Sequence, residues 1–251
     1  MKNLQVKNNM ENIYIISDVH GCYKTLLALI DQFPNKQNSK IVFVGDLIDN
    51  GKNTFEVIEF VKNNNYDCVI GNHDEMMILY HSHLENDRHH EDLKYWLFKC
   101  GGEFTLNSYS SKEKFYEHIE YLKSLPHYIE YEDYKTEDNR YLVVSHSTVG
   151  KMWNLRNSTN EDDVEEFNHF VKWSRWKNHD NEEIFNVYGH TIFQEALLNQ
   201  YSCGIDLGCF YKNKEKLPNP RLCALEFPSM KIYTQESLED LKNKNKYIKR
   251  F

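Results

Sequence analysis

The chain of 251 residues carries 40% hydrophobic and 27% charged side chains and a formal net charge of -8. This composition is ordinary for a water-soluble globular protein, and the length is sufficient to bury a sizeable core without disulfide bonds. An excess of acidic over basic side chains argues against a protein whose main partner is the nucleic-acid backbone. We therefore expect no nucleic-acid binding.

No run in the sequence approaches the roughly 20 apolar residues that a membrane-spanning helix requires. The N-terminal stretch "MKNLQVKNNMEN" also lacks the apolar segment of a secretory signal. The cysteines are scattered and form no C-x-x-C pair, so we interpret them as reduced packing residues of a cytoplasmic protein without membrane contact. They are Cys22, Cys68, Cys100, Cys203, Cys209 and Cys223.

The first third of the chain alternates predicted strands and helices. Continuous apolar runs predict strands, and apolar residues at helical spacing predict helices. Because uninterrupted apolar strands separated by helices are typical of parallel sheets, we expect a parallel sheet that is buried on both faces. The predicted strands are 13–17, 40–45 and 67–71, and the predicted helices are 23–33, 54–63 and 74–83.

The remainder of the chain changes from helical to extended patterns. Residues 85–125 are predicted to be helical, and five strands are predicted after them, at 140–146, 184–190, 201–206, 222–227 and 231–235. No repeat and no linker rich in proline, glycine or serine separates these segments. A single domain built on two sheets is therefore the most economical interpretation.

Aspartate, histidine and asparagine side chains follow several of these apolar runs. Each could be a turn residue or a helix cap if it stood alone. Together they stand at the carboxyl ends of predicted strands, where open α/β sheets place their ligand crevices. Imidazoles mixed with oxygen ligands suit Mn, Fe or Zn. These residues are Asp18 and His20, then Asp46, then Asn72 and His73, and finally His146 and His190.

The order of these motifs resembles the calcineurin-like metallophosphoesterase superfamily. The motifs are D-x-H-G at 18–21, G-D-x-x-D-x-G at 45–51, G-N-H-D at 71–74, S-H at 145–146 and G-H-T at 189–191. Within the superfamily, the match is to the PPP branch of bacterial and phage serine/threonine phosphatases and symmetrical diadenosine tetraphosphatases. Four further segments are similar to bacterial members: 96–106, 121–130, 171–175 and 205–227.

This resemblance implies a four-layer αββα sandwich, formed by one domain at 12–235 with terminal extensions at 1–11 and 236–251. It also implies two divalent metal ions, for which we expect Mn, with Fe or Zn as alternatives. Asp46 would bridge the two ions. The other ligands would be Asp18 and His20 for the first ion, and Asn72, His146 and His190 for the second.

The resemblance also assigns the residues around the metals. His73 would donate a proton to the leaving group, and Asp49 would orient its ring. Arg175 in "WSR" matches an arginine that contacts phosphate. Asn50 stands where the PPP pattern G-D-x-x-D-R-G has a second such arginine, and it carries no charge. We expect weaker phosphate binding, partly compensated by Lys52, or a different substrate whose bulk occupies the arginine's space.

The function implied is hydrolysis of phosphomonoesters by metal-activated water, with phosphoserine or phosphothreonine in proteins as the first candidate substrate. The alternative is a small nucleotide substrate, cleaved by symmetrical hydrolysis of dinucleoside tetraphosphates. The motif G-N-H-D favours the tetraphosphatases, whereas Asp49 argues against them because these enzymes often lack the second carboxylate of G-D-x-x-D. The substrate therefore stays open. A third hypothesis, motivated by Asn50, is a binding module that kept the fold and lost activity.

Two other segments have simpler interpretations. Residues 81–90 contain four histidines, which could form an extra metal site but are better explained as a solvated helix end. The basic segment 242–251 is expected to be a solvated tail.

Overall fold

The computed structural model of the protein describes residues 12–177, 181–213 and 215–240. The predicted extension 1–11 and the basic segment 242–251 lie outside the described residues, as does most of the extension 236–251. Within the described part, two five-stranded sheets pack face to face, with helices on both outer surfaces.

The first sheet has the strand order β10-β9-β1-β2-β3. Strands β1, β2 and β3 are parallel, whereas β9 is antiparallel to both β1 and β10. The predicted parallel arrangement of the first third of the chain is therefore confirmed. The strands are β1 (Ile13–Ile16), β2 (Lys40–Phe43), β3 (Asp67–Cys68), β9 (Arg221–Phe227) and β10 (Lys231–Glu236).

The second sheet has the order β4-β5-β6-β8-β7, with β5, β6 and β8 parallel and antiparallel strands at both edges. The sequence did not predict the two edge strands. No residue of β4 is fully buried, so it lacks a continuous apolar pattern, and β7 has two residues. The strands are β4 (Tyr128–Lys135), β5 (Tyr141–Ser145), β6 (Ile184–Tyr188), β7 (Leu197–Leu198) and β8 (Ser202–Gly204).

The described helices agree with the predicted ones in the first half of the chain. The helices are α1 (Tyr23–Ile30), α2 (Thr54–Asn63), α3 (Asn72–Tyr80), α4 (His83–Asn86), α5 (Glu91–Lys99), α6 (Gly102–Ser108), α7 (Lys112–Lys123) and α8 (Glu161–Trp173). Two 3-10 helices lie at Lys36–Asn38 and Gly150–Asn157. The sequence analysis did not predict α8, in which charged residues predominate around the apolar positions Val164, Phe167, Phe170 and Val171.

The alternation of side chains along β1 separates two layers of the core. Ile13 and Ile15 point between the sheets, where they join apolar residues of the second sheet such as Val187. Tyr14 and Ile16 point the other way, against the helices that cover the first sheet. A third cluster, which contains Phe167 of α8, covers the outer face of the second sheet. The layers are thus helix, sheet, sheet and helix, and the predicted αββα sandwich is confirmed.

The cysteines and the histidine-rich segment play no part in the metal-binding groups found among the described residues. All six cysteines are free, and Cys100 is the one that is not fully buried. In the segment 81–90, the rings of His83 and His90 stack with centroids 3.8 Å apart beside the short helix α4.

None of the helices in the described part of the chain has the length and apolar character needed to cross a membrane.

Candidate metal centre

The predicted ligands converge where the parallel strands of both sheets end. Two groups of side chains there place their ligand atoms within 4.8 Å of one another. One group consists of His20, Asp46 and His73, and the other of Asp46, His146 and His190. Loops of the first sheet meet loops of the second at this edge, and Asp46 belongs to both groups.

The two oxygens of Asp46 face different histidines. Its Oδ2 lies 3.5 Å from Nε2 of His20, and its Oδ1 lies 3.5 Å from Nε2 of His146. Oδ1 also accepts a hydrogen bond of 2.9 Å from the backbone N–H of His73 in the first turn of α3. A helix N-terminus favours an anion at this position. The two oxygens of this carboxylate therefore face two different groups of candidate ligands.

Backbone carbonyls orient the rings of His20 and His146. Nδ1 of His20 lies 2.8 Å from the carbonyl oxygen of Ile48, and Nδ1 of His146 lies 2.8 Å from that of Val44. Burial lowers the pKa of both imidazoles well below the usual value. Both rings are therefore neutral, donate from Nδ1 and direct the Nε2 lone pair toward Asp46, as in metal-ligating histidines.

Several polar atoms in the centre are placed where a cation would satisfy them. Nε2 of His190 is buried and has no hydrogen-bond partner among the described residues. Nε2 of His146 lies 2.8 Å from the amide oxygen of Asn72, so two lone pairs face each other. Buried polar atoms normally have a partner. A divalent cation would accept the lone pairs of the His190 and His146 nitrogens and of the Asn72 oxygen. With nitrogen and carboxylate donors together, these residues fit Mn, Fe or Zn.

The carboxyl groups in and beside the centre have raised pKa values. Burial raises the pKa of Asp46 well above its usual value, and the nearby carboxylates of Asp18 and Asp74 raise it further. Burial raises the pKa of Asp74 to about 7 and that of Asp206 to about 6. Like charges in a low-dielectric site repel each other unless a cation or a proton neutralises them.

Asp18 and His73 are placed differently from the predicted ligand sets. Asp18 is absent from both groups, and its Oδ2 accepts a 3.0 Å hydrogen bond from the backbone N–H of His190. His73 is present in the first group, with Nε2 4.0 Å from Oδ2 of Asp46. The assignments of Asp18 as a ligand and His73 as a proton donor therefore stay predictions.

Asp49 holds His73 through the opposite ring nitrogen. Its Oδ2 accepts from Nδ1 of His73 at 2.7 Å and from the indole N–H of Trp96 at 3.0 Å, and its Oδ1 accepts from the Thr105 hydroxyl at 2.7 Å. Burial raises the pKa of Asp49, while the bonds from Thr105 and Trp96 act in the opposite direction. The pKa of His73 is lowered to about 4 by burial and by the positive charge of Arg175.

The sequence did not identify several residues that support the centre. Trp96 and Thr105 lie in the segment 96–106, which resembles the family but had no assigned role. Asp74 follows His73 in G-N-H-D, and its carboxylate accepts from the backbone N–H groups of Asp46, Leu47 and Gly71. The capping position of Asp74 in the first turn of α3 was the available signal.

The backbone of the centre is unusually strained. Five of the eight non-glycine residues with positive φ in the described part of the chain lie here, namely His20, Asp46, Asp49, Asn50 and His190. Such conformations cost on the order of 1–3 kcal/mol each and cluster at functional sites. The loops also approach closely: a Cβ at Gly189 would lie 1.9 Å from Oδ1 of Asp18, and one at Gly71 would lie 2.2 Å from Oδ1 of Asp46.

The residues predicted to contact phosphate lie at different places around this centre. Arg175 is exposed, and its Nη1 donates to the carbonyl oxygen of His190 at 3.4 Å. Nδ2 of Asn50 lies 3.5 Å from Nδ1 of His20. Nζ of Lys52 lies 4.0 Å from Oδ2 of Asp240, a carboxylate that belongs to neither of the two metal-binding groups.

Part of the chain is similar in sequence to a protein of known name. A symmetrical bis(5'-nucleosyl)-tetraphosphatase of Coxiella burnetii (strain Dugway 5J108-111) is 30% identical over 151 residues, which cover 59% of this chain and 45% of the relative. The match thus spans less than half of that relative's length.

Solved structures share the fold. A structure described as a candidate diadenosine tetraphosphatase aligns with a TM-score of 0.58 at 23% identity, covering 90% of this chain and 94% of the other. A serine/threonine phosphatase from Saccharomyces cerevisiae aligns with a TM-score of 0.54 at 12% identity, covering 91% and 81%. At these identities the likeness shows the fold alone. The model of the calcineurin-like phosphoesterase family matches residues 11–207. The chain therefore belongs to the calcineurin-like phosphoesterase family.

Proposed function

We propose that the protein is a dinuclear-metal phosphatase that hydrolyses phosphomonoesters. The observation that carries this proposal is the Asp46 carboxylate, whose two oxygens face two separate sets of neutral histidines. Asp18, His20 and Asp46 would hold one divalent ion, and Asp46, Asn72, His146 and His190 the other. When bound, such ions stabilise negative charge on phosphoryl oxygens and lower the pKa of water.

His73 would donate a proton to the leaving group, and Asp49 would orient the His73 ring. The 2.7 Å contact with Asp49 holds Nδ1 of His73 and leaves Nε2 directed toward the space beside Asp46. An imidazole oriented in this way can deliver a proton to an ester oxygen. Asp49 stabilises the protonated ring as it forms, because a carboxylate partner favours the imidazolium.

Arg175 would bind the phosphate group from the open side of the centre. Its guanidinium is exposed and bonded to the His190 carbonyl, next to one of the proposed ligands. Charge-assisted hydrogen bonds from arginine suit phosphate oxygens. Asn50 can add only a neutral hydrogen bond at this rim, so Arg175 would supply most of the positive charge.

Phosphoserine or phosphothreonine in proteins is the first candidate substrate. The second candidate, symmetrical cleavage of dinucleoside tetraphosphates, is supported by the name of the Coxiella burnetii relative. That relative is more than twice as long as the matched segment, so residues outside the match could determine its substrate.

A substrate panel on metal-reconstituted protein tests the proposal. Para-nitrophenyl phosphate, a phosphoserine peptide and diadenosine tetraphosphate are each assayed with added Mn. Turnover of the two monoesters supports the first candidate, whereas selective turnover of diadenosine tetraphosphate supports the second. Stoichiometric metal binding without turnover of any substrate would overturn the proposal in favour of a binding module.

A further inference from the structure

A cavity of about 300 Å³ lies beside the metal centre, and we call it the Asn50 cavity. Residues from the α5–α6 region form one wall, and residues after β8 form the other. Its principal lining residues are Asn50, Phe98, Phe104, Phe210, Tyr211 and Lys212. This volume is at the lower end of the range for small-molecule sites and could hold one ring system.

The Asn50 cavity adjoins the proposed metal ligand His20. Nδ2 of Asn50 lies 3.5 Å from Nδ1 of His20, and the ring of Phe210 meets the His20 ring edge-on with centroids 4.2 Å apart. The same two side chains line the cavity. A substrate whose phosphate sits at the metal centre could therefore extend into this cavity.

The short side chain at position 50 leaves the cavity open. Asn50 has a φ of 62°, a conformation that asparagine tolerates better than most residues. It also packs against the turn between α5 and α6, where a Cβ at Gly101 would lie 2.7 Å from the Asn50 backbone nitrogen and from its Oδ1. A long side chain at this position could not remain in that contact and would extend into the cavity.

The lining of the Asn50 cavity suits a planar aromatic group. Phe98 is 57% exposed although it is apolar, which places a phenyl ring at the cavity rim. Nζ of Lys212 lies 5.0 Å from the centroid of the Phe104 ring. Aromatic faces favour stacking with another ring, and each wall also contributes one lysine, Lys99 on the first and Lys212 on the second. Lys99 and Lys212 outnumber Glu103, the one acidic lining residue among those described.

We propose that the Asn50 cavity receives a planar aromatic group of the substrate and that Asn50 keeps this cavity open. This inference rests on the proposed phosphatase function. Because phosphoserine and phosphothreonine are alkyl esters without a ring, an occupied Asn50 cavity would favour an aryl ester or a nucleotide as the substrate over those two. The aromatic group could be the phenyl ring of an aryl phosphate or the base of a nucleotide, since both offer a flat ring near a phosphate.

The decisive variant is Phe98→Ala, with Leu79→Ala as its matched control. Both side chains are exposed apolar residues on helices, at 57% and 54%, and Leu79 does not line the cavity. Values of kcat/KM are measured with Mn for phenyl phosphate, adenosine 5'-monophosphate and propyl phosphate. We expect Phe98→Ala to lower kcat/KM about tenfold for at least one aromatic ester, through KM, because stacking is lost. Propyl phosphate should be unaffected.

The ester that loses kcat/KM in Phe98→Ala identifies the group that the cavity binds. A loss confined to phenyl phosphate identifies an aryl ester as the ligand, and a loss confined to adenosine 5'-monophosphate identifies a nucleotide. An equal change for propyl phosphate, or the same change in Leu79→Ala, overturns the cavity proposal. Asn50→Arg should fill the cavity and, like Phe98→Ala, lower the ratio of kcat/KM for aromatic esters to kcat/KM for propyl phosphate. An unchanged ratio would contradict the role of Asn50.

Binding measurements separate this inference from the proposed function. If no ester is hydrolysed, the phosphatase proposal fails, and calorimetry on Mn-loaded protein then tests the cavity alone. Wild-type protein should bind phenyl phosphate or adenosine 5'-monophosphate about tenfold more tightly than propyl phosphate, and Phe98→Ala should remove the difference. Equal affinities for all three compounds in the wild type would overturn the cavity proposal.

Discussion

Asp46 and Asp49 stand three positions apart in one loop, and their surroundings differ in kind. Near Asp46 lie two further carboxyl groups and the unprotonated nitrogens of two histidines. Around Asp49 lie the Thr105 hydroxyl, the Trp96 indole N–H and His73. Side chains of the protein donate hydrogen bonds to Asp49, whereas the side-chain nitrogens nearest Asp46 are ligand atoms of the two candidate metal-binding groups. The neighbouring groups thus give two identical side chains different roles.

Replacement of Asp46 should have the largest effect. We expect Asp46→Asn to lower activity on the order of 10³-fold or more and to reduce bound metal toward zero, because one carboxylate would serve both ions. Metal content by mass spectrometry and turnover of para-nitrophenyl phosphate are measured on the same preparation. Retention of two ions with full activity would remove Asp46 from the bridging role.

Asp46→Asn should stabilise the metal-free protein, although it should greatly lower the activity of the metal-loaded protein. Burial raises the pKa of Asp46 in the folded state, so this group loses stabilising free energy as pH rises through that raised pKa. Asparagine does not titrate. In chelator, Asp46→Asn should therefore gain stability relative to wild type as pH rises above 3.8, the usual pKa of an aspartate, as measured by thermal unfolding. A difference that does not change with pH would contradict the charge argument.

His73→Asn should have the next largest effect on activity, and it tests the role of the histidine that Asp49 holds. Loss of proton transfer typically lowers turnover 10²–10⁴-fold, while metal content should remain unchanged. Alkyl phosphates should suffer more than aryl phosphates because their leaving groups need the proton. Loss of one metal ion instead would make His73 a ligand, as its presence in the first metal-binding group allows.

Arg175→Ala should have an intermediate effect, with Lys52→Ala as its control. Loss of charge-assisted bonds worth about 1.5–3 kcal/mol predicts a decrease in kcat/KM of roughly 10–150-fold. Lys52 lies beside Asp240, and we expect its removal to change kcat/KM less than about twofold. A larger effect from Lys52→Ala than from Arg175→Ala would reverse the assignment of the phosphate contact.

Thr105→Val should have the smallest effect. It removes the hydroxyl that donates to Asp49 and that accepts from the Asp49 backbone N–H, but it leaves the bonds from Trp96 and His73. Partners of this kind typically change activity about 10–100-fold, and we expect the lower end because Asp49 keeps two donors. The pH–rate profile distinguishes the cause, since altered orientation of His73 should shift its proton-transfer limb. A decrease without such a shift would indicate a general loss of stability.

The sequence by itself determined which strands are buried and which side chains stand at their ends. Continuous apolar runs and helical periodicity are local properties, and they predicted β1, β2, α1 and α2 within a few residues. The order of motifs identified the family. The edge strand β4 was not predicted because none of its residues is fully buried and it lacks a continuous apolar run. Helix α8 was missed although Val164, Phe167 and Val171 recur at helical spacing, because charged residues predominate around them.

Tertiary structure alone decided how the candidate ligands are supported. Asp49 and Thr105 are separated by 56 positions, and Asp46 and Asp74 by 28, so no local pattern shows that they share hydrogen bonds. The same holds for the Asn50 cavity, whose walls come from the α5–α6 region and from residues after β8. Residue types at strand ends follow from the sequence, whereas distances, burial and shared protons depend on which distant segments the packed sheets bring together.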